Sequence, residues 1–110
     1  MKMQLRSTTN PLSLRIVARL RRGATGSLAL ARDVAAPSGF AFTSLVKKLV
    51  RDGLVRRVAS NNRVEYSLSE FGASFAEPAG ALLAWLDAHA AEIQRHRDSY
   101  FTDVEDGATA

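Results

Sequence analysis

Between Pro37 and Arg57 apolar and polar positions follow a helical period. Phe42, Leu45, Val46 and Leu49 recur at i, i+3, i+4 and i+7, with Thr43, Ser44, Lys47, Lys48 and Arg51 on the opposite side. Ser38 stands where an N-cap is needed, and Asp52-Gly53 supplies a stop, because glycine adopts the left-handed cap conformation freely. The pattern predicts a helix over Ser38–Asp52. Val55–Ala59 and Arg63–Leu68 then read as short strands, the second alternating Val64, Tyr66 and Leu68 with polar residues. Ser60-Asn61-Asn62 is the turn between them, since asparagine tolerates positive φ.

Upstream, Asn10-Pro11 marks a helix start, and Leu12, Ile16, Val17 and Leu20 form its buried side up to Arg22-Gly23. Arg15, Arg19 and Arg22 fall on its solvent side. Ala24-Thr25-Gly26 reads as a connector. Ser27 is expected to cap a short helix that turns Leu28, Ala31 and Val34 inward, and Ala35-Ala36-Pro37 makes the turn into Ser38–Asp52. Downstream, Ser69 opens a long helical region in which Pro78 predicts a kink or restart near Glu77. From Ala79 to Arg97, Leu82, Leu86, Ala90 and Ile93 form a seam with Trp85 and His89 beside it. Three helices and a hairpin already close a small domain, so this seam reads as a partner surface, most simply a two-fold homodimer.

Two helices at helix-turn-helix spacing followed by a basic hairpin define a winged helix-turn-helix. The expected class is mainly α (α+β), with a long C-terminal dimerisation helix. The 110 residues form one domain: a flexible arm over 1–9, a DNA-binding core over 10–68, dimerisation helices over 69–97, and an acidic flexible tail over 98–110.

Charge sharpens this picture. Residues 1–63 carry thirteen Lys and Arg against Asp33 and Asp52, a balance of +11, whereas residues 64–110 carry Arg95 and Arg97 against nine acids, a balance of −7. One half of the fold therefore suits a polyanion, and double-stranded DNA is the expected partner. With no cysteine, disulfides and thiolate metal sites are excluded. No apolar run approaches the roughly 20 residues of a membrane span, and Met1–Asn10 lacks a signal-peptide core, so the expected location is cytoplasmic. Catalytic motifs are missing as well: there is no Gly-x-Ser-x-Gly elbow and no phosphate-cradling glycine loop, and both histidines sit in the C-terminal helix. Neither enzymatic activity nor a cofactor is expected.

A DNA site needs phosphate contacts that position and base contacts that specify. Ser38, Thr43, Ser44 and Lys47 suit the groove floor, and Lys48 and Arg51 suit phosphates. Phe40 either touches a thymine methyl or folds back onto the core, the latter being preferred. In the wing, Asn61, Asn62 and Arg63 would lie against the minor groove with Arg56 and Arg57 flanking. Adjacent strand residues point to opposite faces, so at most one of these two arginines serves a given phosphate row. The dimerisation residues are Leu82, Trp85, Leu86, His89, Ala90 and Ile93.

The segments L-V-K-K-L-V-R-D-G-L-V-R-R (45–57) and V-E-Y-S-L-S-E-F-G-A-S-F-A-E-P (64–78), continuing through Ala81-Leu82 to Trp85, resemble the HxlR family of bacterial winged-helix transcriptional regulators. The resemblance implies a sequence-specific regulator that binds an inverted-repeat operator as a homodimer. Three features depart from it. The cysteine-bearing N-terminal segment and the tryptophan of the first core helix are missing, and Phe40-Ala41-Phe42 stands where a basic residue is common. Asn10–Ile16 is more similar to the opening of ArsR-type or MarR-like proteins, which leaves a ligand- or metal-responsive repressor as an alternative. Asp87-x-His89 resembles the start of an ArsR-type zinc site, and Glu92 and His96 lie near the same face, but Tyr100 stands where a second histidine belongs. A winged helix used only for protein–protein contacts is the other alternative. Any small-molecule effector would bind near Trp85 or between the helices.

Overall fold

The structure is a computed structural model and describes residues 6–106. A turn of helix α1 (Arg6–Thr9) precedes α2 (Pro11–Leu20), strand β1 (Thr25–Gly26) and α3 (Ser27–Asp33). Next come α4 (Gly39–Arg51), β2 (Val55–Ser60), β3 (Arg63–Leu68) and α5 (Glu70–Asp106). The sheet has the order β1-β3-β2 and is antiparallel throughout.

Helix α2 is the hub. Asn10 Oδ1 accepts from the Leu12 N–H at 2.8 Å, and Pro11 fills the first helical position, where a missing N–H costs nothing. Leu12, Ile16 and Leu20 face one core with Leu30, Phe42, Leu45, Val46, Leu49, Leu54, Val55 and Tyr66. Phe42 meets Tyr66 edge-on, with ring centroids 6.3 Å apart. On another side, Leu14 and Val17 pack on Ala76 and Ala79 of α5. A helix sandwiched this way needs more than one apolar stripe, which is why Ser13 and Leu14 are also buried.

Several expectations change on contact with the structure. Thr25-Gly26 is a strand, not a bare connector, because it pairs with Tyr66 and Glu65 of β3. Ser27 is the first residue of α3 and Gly26 its N-cap, with no side-chain cap bond. Leu28 points out, 88% exposed, and Leu30 takes the core position in its place. Arg15 and Arg19 are half-buried and engaged: Arg15 Nε donates to the Val34 carbonyl at 2.9 Å, and Arg19 Nε pairs with Asp33 Oδ2 at 2.9 Å. Both tie α2 to the C-terminal end of α3, where backbone carbonyls favour cations.

Helix α5 runs unbroken through Pro78, so no restart occurs near Glu77. Proline removes one backbone donor, that to the Ser74 carbonyl, and the packing of Ala76 and Ala79 on α2 keeps the helix continuous across that gap. The helix also continues to Asp106, so the expected tail is helical at least that far, while 107–110 lie outside the described residues. Likewise Arg6–Thr9 of the expected arm forms a helical turn, and residues 1–5 lie outside. At about 1.5 Å per residue, 37 residues extend roughly 55 Å, which accounts for the 63 Å long axis of the molecule. Among the described residues, no helix is long and apolar enough to cross a membrane.

Candidate nucleic-acid interface

Helix α4 is built to present one face outward. Ser38 Oγ accepts the Ala41 N–H at 3.0 Å, fixing the start of the helix. At its end, the Leu54 N–H donates to Leu49 O and the Gly53 N–H to Val50 O, each at 3.0 Å, with Gly53 at φ +84°. These two bonds are a Schellman cap. Phe42, Leu45, Val46 and Leu49 are buried as the pattern predicted. Phe40, Thr43, Ser44, Lys47, Lys48 and Arg51 are then forced to the other side, at i, i+3, i+4, i+7, i+8 and i+11.

Phe40 corrects the preferred assignment to the core. It is 85% exposed, because its helical position belongs to the outward set and Phe42, two residues on, already fills the inward site. Arg51 is also less free than its position implied. Its Nε and second terminal nitrogen fork onto Asp52 at 2.9 and 3.2 Å. The hydrogen bond and charge of Arg51 hold the Asp52 carboxyl below the usual carboxylate range, and Asp52 raises the Arg51 pKa in turn.

The hairpin follows the alternation rule. Arg57 stands opposite Tyr66 and Ala59 opposite Val64, on the face turned to α4. Arg56 and Arg63 stand opposite Ser67 and Ser60 on the reverse face. Of the two adjacent arginines it is Arg57 that joins α4, lining a cleft with Thr43, Val46, Lys47, Val50 and Tyr66. Asn61 and Asn62 form the tip with φ of 49° and 62°, a two-residue turn with both central residues left-handed. Among the described residues, Lys47, Lys48, Arg56, Arg57 and Arg63 have no acidic partner within ion-pair distance.

The wing is tied to α4 and α5 by a small clamp. Ser69 Oγ donates to Gly53 O, with Leu54 O 3.2 Å away, and accepts the Gly72 N–H at 2.9 Å. The Ser69 N–H donates to Leu54 O at 3.1 Å. Gly72 is required here: a β-carbon on it would fall 2.8 Å from the Leu54 carbonyl carbon and closer still to its oxygen. In the sequence Ser69 reads only as the opening of a helical region, because its contact with Gly53 and Leu54 depends on tertiary placement.

The C-terminal seam divides between two faces. Leu83 and Leu86 pack against the core that α5 forms with α2, while half-buried Ile93 and exposed Ala90 border an open groove beside Pro11 and Arg15. Leu82 and Trp85 are 38% and 52% exposed, and Trp85 stacks on His89 with ring centroids 4.2 Å apart. Tyr100, Phe101 and Val104 continue the exposed apolar residues beyond the expected seam. The zinc alternative gains no site within one chain. His89 Nδ1 lies 2.7 Å from the Trp85 carbonyl oxygen, His96 Nε2 lies 3.8 Å from Glu92, and no three ligating residues converge among those described.

A three-helix body with a hairpin wing, a capped helix whose outward face carries Lys47 and Lys48, and a long closing helix defines a winged-helix DNA-binding transcription regulator. The HxlR-like helix-turn-helix family pattern matches residues 10–94, and the chain belongs to that family. Among solved structures it is similar to ytfH of Salmonella typhimurium, assigned as a transcriptional regulator, at 25% identity, TM-score 0.75, covering 86% of this chain and 87% of that one. It is similar to ytcD, assigned as an HTH-type transcriptional regulator, at 27% identity, TM-score 0.66, over 78% and 91% of the two chains. HlyU from Vibrio cholerae N16961 aligns at 25% identity, TM-score 0.62, over 73% and 87%. No curated protein matches the chain.

Proposed function

We propose that the chain binds a two-fold operator as a homodimer, laying α4 in the major groove and the wing along the flank. The observation that carries this reading is a set of cations with no acidic partner among the described residues: Lys47 and Lys48 on α4, Arg57 on the wing face turned to α4, and Arg63 beside the wing tip. Lys47 suits guanine O6 and N7, while Thr43 and Ser44 serve either base type. Lys48 and Arg57 suit phosphates. Ser38 has its oxygen engaged by Ala41 and keeps its hydroxyl proton to donate to a phosphate. At the tip, Asn61, Asn62 and Arg63 suit a narrow minor groove. Arg51, forked onto Asp52, contributes less.

The exposed apolar residues of α5, from Leu82 and Trp85 to Tyr100 and Val104, are the proposed dimer surface. Pairing there would set two α4 helices about 34 Å apart, or a multiple of that, as inverted half-sites require.

Anisotropy titrations of a duplex selected from a random pool, at several salt concentrations, test the proposal. With about 4–6 phosphates neutralised per protomer, the log–log slope is expected near −4 to −5 for each protomer. Lys47→Ala relaxes base preference at one position, whereas Arg63→Ala weakens all duplexes evenly. If both variants bind like the parent, the DNA face is misassigned.

A second reading, response to an effector, is favoured by a groove of about 520 Å³ lined by Thr8, Arg51, Leu54, Phe71, Phe75 and Pro78. Its size suits a small aromatic molecule, and it abuts the end of α4. Thermal shifts from such a ligand that vanish in Phe71→Ala support it.

A further inference from the structure

Phe40 poses a problem that its neighbours do not. It is the second residue of α4 and 85% exposed, so a whole aromatic ring sits in water at the start of the helix. Fully burying such a side chain is worth roughly 1.5–3 kcal/mol, so a partner surface that covers it gains that energy. The fold itself passes up this gain. Phe40 borders a shallow groove with Pro37, Ala41 and Leu45, yet the groove leaves the residue 85% exposed.

The surroundings decide what kind of partner covers it. On the same face stand Thr43, Ser44, Lys47 and Lys48, and neither lysine is partnered by an acid among the described residues. An apolar protein surface laid on Phe40 would strand both ammonium groups against it, at the cost of desolvating them. A polyanion with apolar points on its surface satisfies both. The major groove of DNA is such a surface, with phosphates along its walls and the thymine 5-methyl as the apolar group on its floor. Residues in the first turn of a groove-bound helix are also the ones that reach base edges.

We infer that Phe40 is a specificity-determining residue that reads a thymine by packing its ring on the 5-methyl group. The inference rests on the DNA reading above. It assigns one base of each half-site to an apolar contact, beside any base that Lys47 reads by hydrogen bonds.

Replacing a single thymidine by deoxyuridine keeps base pairing and the O4 acceptor and deletes only the methyl. Duplexes enriched from a random pool by the full chain are remade with each thymidine so replaced, in both half-sites. At one position the parent is expected to lose about fourfold in affinity per half-site, the equivalent of one buried methylene. Phe40→Ala should bind the thymidine and deoxyuridine duplexes alike, and Phe40→Leu should keep part of the discrimination. Because the ring is exposed, both variants should melt with the parent, and circular dichroism checks that they do. An enriched pool indifferent to every replacement, or a deoxyuridine penalty that survives in Phe40→Ala, overturns the inference while leaving DNA binding intact. A pool with no enrichment overturns the DNA reading and this inference with it.

Discussion

Gly72 and Gly80 lie in the same helix, and the same substitution at each is expected to have opposite effects. In Gly72→Ala the new β-carbon falls 2.8 Å from the Leu54 carbonyl carbon and 3.2 Å from its Cα. Non-bonded carbons prefer about 3.5–4.0 Å, so the backbones must part by the better part of an ångström. No side chain can yield here, because the obstacle is the Leu54 peptide, held by the Schellman cap and by Ser69. Overpacking of this kind costs about 1–3 kcal/mol, and parting the backbones also strains the Ser69 bonds to Gly53, Leu54 and Gly72, each worth about 1 kcal/mol. The expected loss is about 3–5 kcal/mol, a large share of the roughly 5–15 kcal/mol of a domain this size. At Gly80 a β-carbon meets nothing within 4 Å, so alanine there gains its helix propensity, about 0.5–1 kcal/mol. Thermal unfolding by circular dichroism at one fixed protomer concentration reads both. Gly72→Ala should lower Tm by about 15 °C or more and Gly80→Ala should raise it by a few degrees. A Gly72→Ala protein that melts within about 5 °C of the parent refutes the claimed backbone contact.

Trp85→Glu places a carboxylate in the exposed apolar stripe of α5, and light scattering should find the proposed dimer shifted to monomer while Ala84→Glu, also exposed, leaves it paired. Ala35 has φ 52° at the left-handed position that ends α3, where Ala35 and Ala36 donate to Arg32 O and Ala31 O, so Ala35→Gly should raise stability by up to about 1 kcal/mol in urea titrations. Asp33 has its carboxyl pKa depressed, chiefly by the Arg19 hydrogen bond. A depressed pKa means that the folded state binds its proton less tightly than the unfolded chain does. The contribution is therefore present above about pH 4, the unfolded value, and lost as pH falls through the lower folded value. Asp33→Asn should flatten that part of the acid-unfolding curve, and an unchanged curve would show that the Arg19 pair contributes nothing.

The sequence carried α4 almost whole, because a buried stripe, an N-cap and a glycine stop are all local signals. Ser38, Phe42, Leu45, Val46, Leu49 and Gly53 each do what their spacing implied. The Asn61-Asn62 turn was legible for the same reason. What escaped depends on tertiary context. Thr25-Gly26 becomes a strand only because β3 offers an edge to pair with, and two residues carry no period of their own. Leu14 reads as a surplus apolar residue until α5 is laid on it. Pro78 breaks a helix in isolation, yet the alanines beside it are buried against α2 and the helix continues.

Phe40 and Phe42 mark where sequence reasoning on the candidate site reaches its end. Two phenylalanines one residue apart cannot both face the core of a helix, since two residues span about 200°. Periodicity with Leu45, Val46 and Leu49 selects Phe42 for the core, and Phe42 also gains the Tyr66 ring. The same periodicity therefore already placed Phe40 outward. The chemistry of the ring pulls the other way, since an exposed aromatic ring forgoes the gain of burial. Both arguments are sound, and they conflict. A helix whose inward site is taken must leave the second ring in solvent, so its cost persists in the free protein. That cost falls away only when something covers the ring, and the cations around it restrict what that something can be.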